Sequence, residues 1–271
     1  VTDANGCTDV DSVEVTVNTL PTVDAGPDID LCLGDDTTLN ATGAVTYVWS
    51  PVTDLSDPNI ANPVATPGAT VTYTVTGTDA NGCVNTDDIE ITVNSLPVVT
   101  ISNDTTICTG DSAQLVASGG TGYTWSPTTG LSDPNIANPM ASPAANTTYT
   151  VVVSNGAACL DSATVDVSLF TLPTVVAGPD TAICENECVD LLATGAVTYV
   201  WAPTTGLSDP NIPNPQACPT VTTEYIVTGT DGNSCTNTDT VDVVINALPP
   251  VEAGADETIC NTDSVQLNAT G

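Results

Sequence analysis

The chain lacks lysine, arginine and histidine altogether, although its 271 residues include 33 aspartates and glutamates. A protein without cations cannot neutralise nucleic-acid phosphates, and an anionic membrane surface would repel it. The absent side chains are also the usual general bases, Schiff-base amines and phosphate ligands of enzymes. No run of about 18 apolar residues, the length of a membrane span, is present either. We therefore expect no enzymatic activity, no nucleic-acid binding and no direct membrane insertion.

Aromatic residues are scarce as well, at 4 % of the chain. A net charge of −33 favours disorder, but apolar residues reach 41 % and alternate with polar ones as they do in β-strands. The sequence therefore predicts a folded β-protein whose few aromatic residues lie in the core.

Landmark residues recur with a fixed spacing of 76 positions, which no insertion or deletion interrupts. A period of this length indicates one folded module repeated head to tail. Leu-Pro follows each closing strand, where proline blocks further pairing. We therefore predict repeats at 19–94, 95–170 and 171–246, with the end of a preceding repeat at 1–18 and the start of a following repeat at 247–271. These 271 residues are then expected to be part of a much longer polypeptide.

Within one repeat, about seven short segments of strand character alternate with turn signals, and no helical period is present. The first segment opens at Leu20, and the strongest runs from Val71 to Asp79. This pattern predicts an immunoglobulin-like Greek-key sandwich with Trp49 as a core anchor. Tyr73 fits either a tyrosine corner or an ordinary core position.

The string TYVWSPVTDLSDPNIANPVATPGATVTYTVTGTDANGC at 46–83 recurs at 122–159 and 198–235. It resembles the PKD-like, immunoglobulin-like repeats of very large Bacteroidota surface proteins, which include gliding-motility adhesins and other cargo of the type IX secretion system. The resemblance covers the whole chain. In the third repeat, Asn186 stands where the motif Cys-x-Gly has glycine, and Ser234 stands where Asn-Gly-Cys has glycine.

The resemblance implies an all-β array of tandem immunoglobulin-like (PKD-like) sandwiches that is secreted to the cell surface. There the chain would extend and stiffen a filament or stalk that is part of an adhesin, with neighbouring repeats and lateral copies as its partners. The alternative is a module whose exposed loops bind a surface polysaccharide or another glycan.

Ten cysteines in an acidic chain indicate disulfides in an oxidising compartment. A zinc site is disfavoured because histidine is absent and only Cys184 and Cys188 are close in sequence. Two connectivities stay open: pairs within repeats (Cys32–Cys83, Cys108–Cys159, Cys184–Cys235), or a ladder between repeats (Cys32–Cys159, Cys108–Cys235). Opposite poles of one sandwich are expected about 20 Å apart, which argues against pairs within a repeat, but the poles themselves are inferred and both connectivities stay open. Cys188 and Cys218 are expected to bond within the third repeat.

Acidic residues also recur with the period, and no cofactor is required to explain them. Aspartate favours turns, which is one interpretation. The other is calcium, since separate loops could combine their carboxylates into a site. The candidate ligands are Asp28, Asp35, Asp104, Asp111, Asp180 and Glu187.

The resemblance further implies O-linked glycans, which Bacteroidota attach at Asp-Ser or Asp-Thr followed by an apolar residue or threonine. Most of the matching hydroxyls are expected in turns, where an enzyme could reach them. The candidates are Ser12, Thr37, Thr105, Ser112, Ser162, Thr181, Thr240 and Ser264.

Overall fold

A computed structural model describes residues 1–269 and residue 271. Every regular element in this part of the chain is a β-strand, and the strands recur in three successive sets. The predicted all-β fold of tandem immunoglobulin-like sandwiches is confirmed. No helix in the described residues is long and apolar enough to cross a bilayer.

The first repeat contains six strands, which form a four-stranded sheet and a small two-stranded sheet. The strands are β1 (Ile29–Cys32), β2 (Thr37–Thr38), β3 (Thr46–Ser50), β4 (Val64–Ala65), β5 (Val71–Thr78) and β6 (Val84–Asn94). The large sheet has the order β1-β6-β5-β3, and β2 pairs with β4 in the small one. β1 runs parallel to β6, so that Cys32 lies opposite Asn94 where both strands end.

The third repeat contains the six equivalent strands, and the second contains these six and two more, β7 and β10. Those of the second are β7 (Thr100–Ile101), β8 (Thr105–Cys108), β9 (Ala113–Gln114), β10 (Ala117–Ser118), β11 (Gly122–Ser126), β12 (Met140–Ala141), β13 (Thr147–Ser154) and β14 (Leu160–Phe170). Those of the third are β15 (Thr181–Cys184), β16 (Val189–Asp190), β17 (Thr198–Ala202), β18 (Gln216–Ala217), β19 (Thr223–Thr230) and β20 (Thr236–Asn246). The large sheet of the third repeat has the order β15-β20-β19-β17, which matches the first repeat.

The segment expected to open the first repeat as a strand does not form one. It contributes a single bridge between Asp24 and Thr42. Pro21 lacks an N–H group and cannot join a ladder, which limits pairing there. In the second repeat the corresponding region forms the two-residue strand β7, which pairs with β10.

Alternation along the strands places one large aromatic pair in each core. Trp49 and Tyr73 are both fully buried. The Trp49 indole N–H donates to the carbonyl oxygen of Ile60 at 3.0 Å. The Tyr73 hydroxyl donates at 3.0 Å to the carbonyl of Thr53, which lies 20 residues upstream. Tyr73 is therefore a core residue that anchors a distant loop, and it does not form a local corner.

Burial raises the pKa of Tyr73 above its ordinary value, and the nearby carboxylate of Asp54 raises it further. The pKa of Tyr149 and that of Tyr225 are raised by burial as well. All three phenols therefore stay neutral and can donate their hydrogen bonds throughout the neutral pH range.

The described chain falls into two compact units. The first comprises Val1–Asn103, Gln114–Ala141 and Thr148–Val165, and the second comprises Asp104–Ala113, Ser142–Thr147 and Asp166–Gly271. The second repeat is divided between the two units, while the first repeat lies in the first unit and the third repeat in the second. The repeat boundaries drawn from the sequence stay a prediction.

Candidate functional site at the repeat junctions

Neighbouring repeats are joined by disulfides. In the first unit Cys32 bonds to Cys159, with their Cα atoms 5.5 Å apart. In the second unit Cys108 bonds to Cys235, with a Cα separation of 5.6 Å. Both bonds connect positions 127 residues apart in sequence. Of the two connectivities that the sequence left open, the structure has the ladder between repeats.

Each repeat has a five-residue hairpin loop that ends in cysteine, at 79–83, 155–159 and 231–235, and the loops at 155–159 and 231–235 form one side of the two junctions. The first residue of the loop accepts two backbone hydrogen bonds through its side chain. In the second unit, Asp231 Oδ1 accepts from the N–H groups of Asn233 and Cys235, at 2.8 and 2.9 Å. Asn155 Oδ1 accepts the two equivalent bonds in the first unit, each at 3.0 Å. The loop is thus held by its own first side chain and presents the cysteine at a fixed position.

The same loop occurs at 3–7, in the segment before the first repeat. Asp3 Oδ1 accepts from the N–H groups of Cys7 and Asn5, each at 2.9 Å. These donors, that of Cys7 first, hold the pKa of Asp3 below its ordinary value. The loop backbone therefore stabilises the charged form of Asp3.

The residue before each hairpin-loop cysteine adopts a positive φ. The angle is 79° at Gly82, 62° at Ala158 and 67° at Ser234. The loss of glycine in the later repeats therefore leaves the turn geometry unchanged, at a cost of about 1 kcal/mol in backbone strain for a residue with a Cβ.

Replacing Ala158 by glycine is expected to stabilise the second repeat by about 1 kcal/mol, because glycine relieves this strain. Gly82→Ala should destabilise the first repeat by a similar amount. Amide hydrogen exchange of the flanking strands measures both changes. The control is Gly156→Ala, since Gly156 has open space around it and no positive φ. Its expected change is within about 0.5 kcal/mol, and an equal gain from Ala158→Gly and Gly156→Ala would contradict the argument.

Each repeat also has a receptor turn that begins with cysteine, at 32–35, 108–111 and 184–187, and the turns at 32–35 and 108–111 form the other side of the two junctions. Within the turn, the N–H of Asp35 donates to the carbonyl of Cys32 at 3.0 Å. A second bond, from the Leu33 N–H to the Asn94 carbonyl at 2.8 Å, attaches the turn to the end of β6. In the third repeat Asn186 takes the glycine position with a φ of 68°. Asparagine tolerates this conformation, so that the turn survives there too.

Cysteine burial differs between bonded and unbonded members of these two groups. Cys159 is 1 % exposed and Cys235 is fully buried. Cys83 is half-buried and Cys184 is exposed, and both are free thiols, as are Cys7 and Cys260. The expectation that Cys83 and Cys184 form disulfides is therefore corrected for the described chain. The reason is register. A hairpin-loop cysteine bonds to a cysteine 127 positions earlier and a receptor-turn cysteine to one 127 positions later, and for Cys83 and Cys184 these positions lie outside 1–271.

The third repeat carries one additional disulfide inside the module. Cys188 bonds to Cys218 with a Cα separation of 4.3 Å. The two cysteines flank the paired residues Val189 and Ala217 of the small sheet. In the second repeat, Ser112 and Ser142 stand at the equivalent positions.

The recurring acids do not converge on one point. Asp28, Asp104 and Asp180 each accept a backbone N–H from the last long strand of their repeat, at 2.8 to 2.9 Å. Glu187 accepts from the N–H of Cys184 at 3.1 Å, inside the receptor turn. Asp35 and Asp111 occupy the same turn position in the other repeats. Within residues 1–269 and 271, no three acidic or cysteine side chains are grouped as metal ligands, and calcium binding stays a prediction.

Asp28→Ala is expected to destabilise the first repeat by about 1 kcal/mol, since it removes the acceptor for the Glu90 N–H. The loss should be equal in calcium and in a chelator, because the hydrogen bond needs no metal. Hydrogen exchange of β6 in both buffers makes the measurement, with the exposed Asp30→Ala as the control. A loss that occurs only in calcium would instead identify Asp28 as a ligand.

The candidate glycosylation sites are distributed differently from the expectation. Five of them lie in strands (Thr37, Thr105, Ser162, Thr181 and Thr240). Ser12, Ser112 and Ser264 lie outside strands and are exposed. The expectation that most would occupy turns was wrong, because threonine is β-branched and favours strands even beside an aspartate. Glycosylation itself stays a prediction.

No protein-family model matches this chain, and no curated protein does either. Among solved structures, it is similar to an I-band fragment of titin, with 13 % identity, 85 % of this chain and 100 % of that one covered, and a TM-score of 0.41. It is also similar to the N-terminal eight Ig domains of Down Syndrome Cell Adhesion Molecule (12 % identity, 84 % and 37 % covered, TM-score 0.40). A third is the insect immune protein hemolin (14 %, 84 % and 76 %, 0.31). The fold assignment rests on the strands and sheets of the chain itself.

Proposed function

We propose that this chain is a structural, non-enzymatic segment of a long secreted filament or stalk at a cell surface, of the kind found in Bacteroidota adhesins. One observation carries the proposal. The two disulfides between repeats interleave along the sequence, because Cys108 lies between Cys32 and Cys159, while Cys159 lies between Cys108 and Cys235. The two bonds therefore span both junctions between the three repeats, and neither junction can be pulled open without breaking a covalent bond.

Mechanical continuity of this kind suits a projection that must resist tension. The acidic composition also suits such a projection, since modules of like charge repel one another and therefore disfavour collapse of the chain. Disulfides further require an oxidising compartment, which supports a location outside the cytoplasm. Type IX secretion, a role in gliding and O-glycosylation are finer parts of the proposal that rest on the sequence resemblance.

Immunogold labelling of intact cells with an antibody against this segment tests the location and the role together. The proposal expects label at regular distances along projections outside the cell. Label confined to the interior of permeabilised cells would overturn it.

A glycan-binding module is the alternative function. Sites of that kind usually need exposed aromatic side chains, whereas Trp49, Trp125 and Trp201 are at most 1 % exposed. We therefore rank it second. Saturable binding of the oxidised chain to a glycan array would reverse the order.

A further inference from the structure

We infer that the Cys188–Cys218 disulfide is a site of thiol–disulfide exchange, at which small thiols, above all positively charged aminothiols, become attached to the surface of the third repeat. This goes beyond the proposed function, because it concerns a reaction of the surface rather than mechanical continuity. The two disulfides between repeats stay closed while this bond opens.

Exposure separates this disulfide from the other two. Cys188 is exposed and Cys218 is half-buried. Each disulfide between repeats instead joins a half-buried cysteine to a covered one, since Cys159 is 1 % exposed and Cys235 is fully buried. Exchange begins when a thiolate reaches a sulfur atom of the disulfide, so that access controls the rate, and exposed disulfides are the labile ones. Cys188–Cys218 is therefore the bond that an external thiol opens first.

The exposure of Cys188 belongs to its position in the repeat. Ser112 has the equivalent position in the second repeat, and it is exposed although the receptor turn before it carries the bond to Cys235. Asp36 has this position in the first repeat, and it is exposed beside the bonded Cys32. A hairpin loop bonded to the receptor turn therefore leaves this position accessible.

The fold does not require the Cys188–Cys218 bond. In the first repeat, the equivalent small sheet of β2 and β4 forms between Asp36 and Thr66. In the second repeat, β9 and β12 pair in the same way, where Ser112 and Ser142 replace the two cysteines. We therefore expect the third repeat to stay folded when its disulfide opens, and to carry two neighbouring thiols at the small sheet.

Opening this bond also leaves the third repeat tied to the second. The Cys108–Cys235 disulfide encloses both Cys188 and Cys218 in the sequence. Residues on either side of the opened bond therefore remain within one covalent loop. Attachment of a small thiol can proceed without loss of the junction.

The charges beside Cys188 favour thiols of positive charge. Glu187 precedes it and Asp190 follows two residues later, and both side chains are exposed. The chain has no lysine, arginine or histidine to offset them. Anionic thiols such as glutathione are therefore repelled, whereas a cationic aminothiol such as cysteamine is attracted. Salt should reduce the difference between the two.

The reaction needs only the small thiol. Its thiolate attacks the Cys188 sulfur and forms a mixed disulfide there, while Cys218 leaves as a thiolate and takes a proton from water. A second small thiol can then attack the mixed disulfide and release the Cys188 thiol. In sum, two small thiols become one small disulfide, and one protein disulfide becomes two protein thiols.

The test uses the full chain with C7S, C83S, C184S and C260S, which retains only the three disulfides. The protein is incubated with cysteamine, quenched at intervals with N-ethylmaleimide and mapped by mass spectrometry after pepsin digestion. We expect molecules with cysteamine on Cys188 and maleimide on Cys218. They should appear about tenfold or more faster than any label on the four junction cysteines.

A second series tests the preference for positive charge. At low salt and equal thiolate concentration, glutathione should react more slowly than cysteamine. The difference should narrow when salt is added, and also when Glu187→Gln and Asp190→Asn are introduced together. Equal rates for the two thiols at low salt would overturn this preference.

Two cysteine variants keep the main test decisive. Ser112→Cys with Ser142→Cys should add an equivalent bond in the second repeat that opens at a similar rate. C188S/C218S should take up no label over the same times and should keep both junction disulfides, with hydrogen exchange of β19 showing that the repeat is folded. Junction disulfides that open as fast as Cys188–Cys218, or opening of Cys188–Cys218 no faster than the exchange of the β19 amides, would each overturn the inference.

Discussion

Stretched between its two ends, the oxidised chain is expected to stop extending at about 40 nm, whereas the fully reduced chain should reach about 95 nm. An extended residue spans roughly 3.5 Å, so that 271 residues define the longer value. The shorter value follows from the disulfides. This difference in length between the oxidised and the reduced chain is the largest change that we expect from any single treatment of the molecule.

The shortest covalent path sets the limit for the oxidised chain. It runs from residue 1 to Cys32, across to Cys159, along to Cys188, across to Cys218 and on to residue 271. About 113 residue steps remain under tension on this path. The rest of the chain is shielded from the applied force even if its modules unfold.

Single-molecule force spectroscopy measures these lengths, and one variant separates the two connectivities. In C32S/C159S the path must cross at Cys108–Cys235, which gives about 50 nm. Had the disulfides formed within repeats, the same variant would retain only Cys184–Cys235 on its path and would reach about 75 nm. In reducing buffer the variant and the unaltered chain should extend equally. A plateau near the longer value in oxidising buffer would remove the main support for a mechanical role.

The fold could be predicted from the sequence because its signals are local and repeated. Alternation along the segment 71–79 marked β5, and the 76-residue period placed its counterparts. The opening segment at Leu20 was overestimated because alternation says nothing about whether a hydrogen-bonding neighbour is available. Alternation does not mark the polar first half of β6, Val84 to Asp87, because this part pairs with β5 without contributing to the core.

The disulfide connectivity could be narrowed to two alternatives and no further. Strand polarity indicates at which end of a sandwich each cysteine lies, but it does not indicate which modules contact each other. Other features could be recognised only in the three-dimensional structure. A Cβ at Gly77 would lie 2.7 Å from the Ala44 Cβ and 2.5 Å from a Val23 methyl group. The second repeat has Val153 in place of Gly77 and Gly120 in place of Ala44. The sequence shows that the larger side chain changes position between the two repeats, but only the contact between these two positions explains why.

Gly43→Ala is expected to destabilise the first repeat by about 3–5 kcal/mol, which would unfold a small module outright or nearly so. Gly43 has a φ of 88°, and a Cβ there would lie 1.8 Å from the Thr22 carbonyl oxygen and 2.6 Å from its carbonyl carbon. Both atoms belong to the backbone, so that no side-chain rotation can relieve the collision. Gly119 and Gly195 make the same close approach in the other repeats, at 2.0 and 1.9 Å.

Two matched variants divide this loss into its causes. Gly34 also has a positive φ but has open space around it, so that Gly34→Ala should cost only about 1 kcal/mol of backbone strain. Gly68 has neither a positive φ nor a close neighbour, and Gly68→Ala should change stability by no more than about 0.5 kcal/mol. Hydrogen exchange of the β5 amides, read by mass spectrometry after pepsin digestion, reports all three. If Gly43→Ala lowered the stability no more than Gly34→Ala does, the argument would be contradicted. The backbone at Thr22 would then move away from residue 43 at little cost, and the opening segment would be held less tightly against the sandwich than its geometry requires.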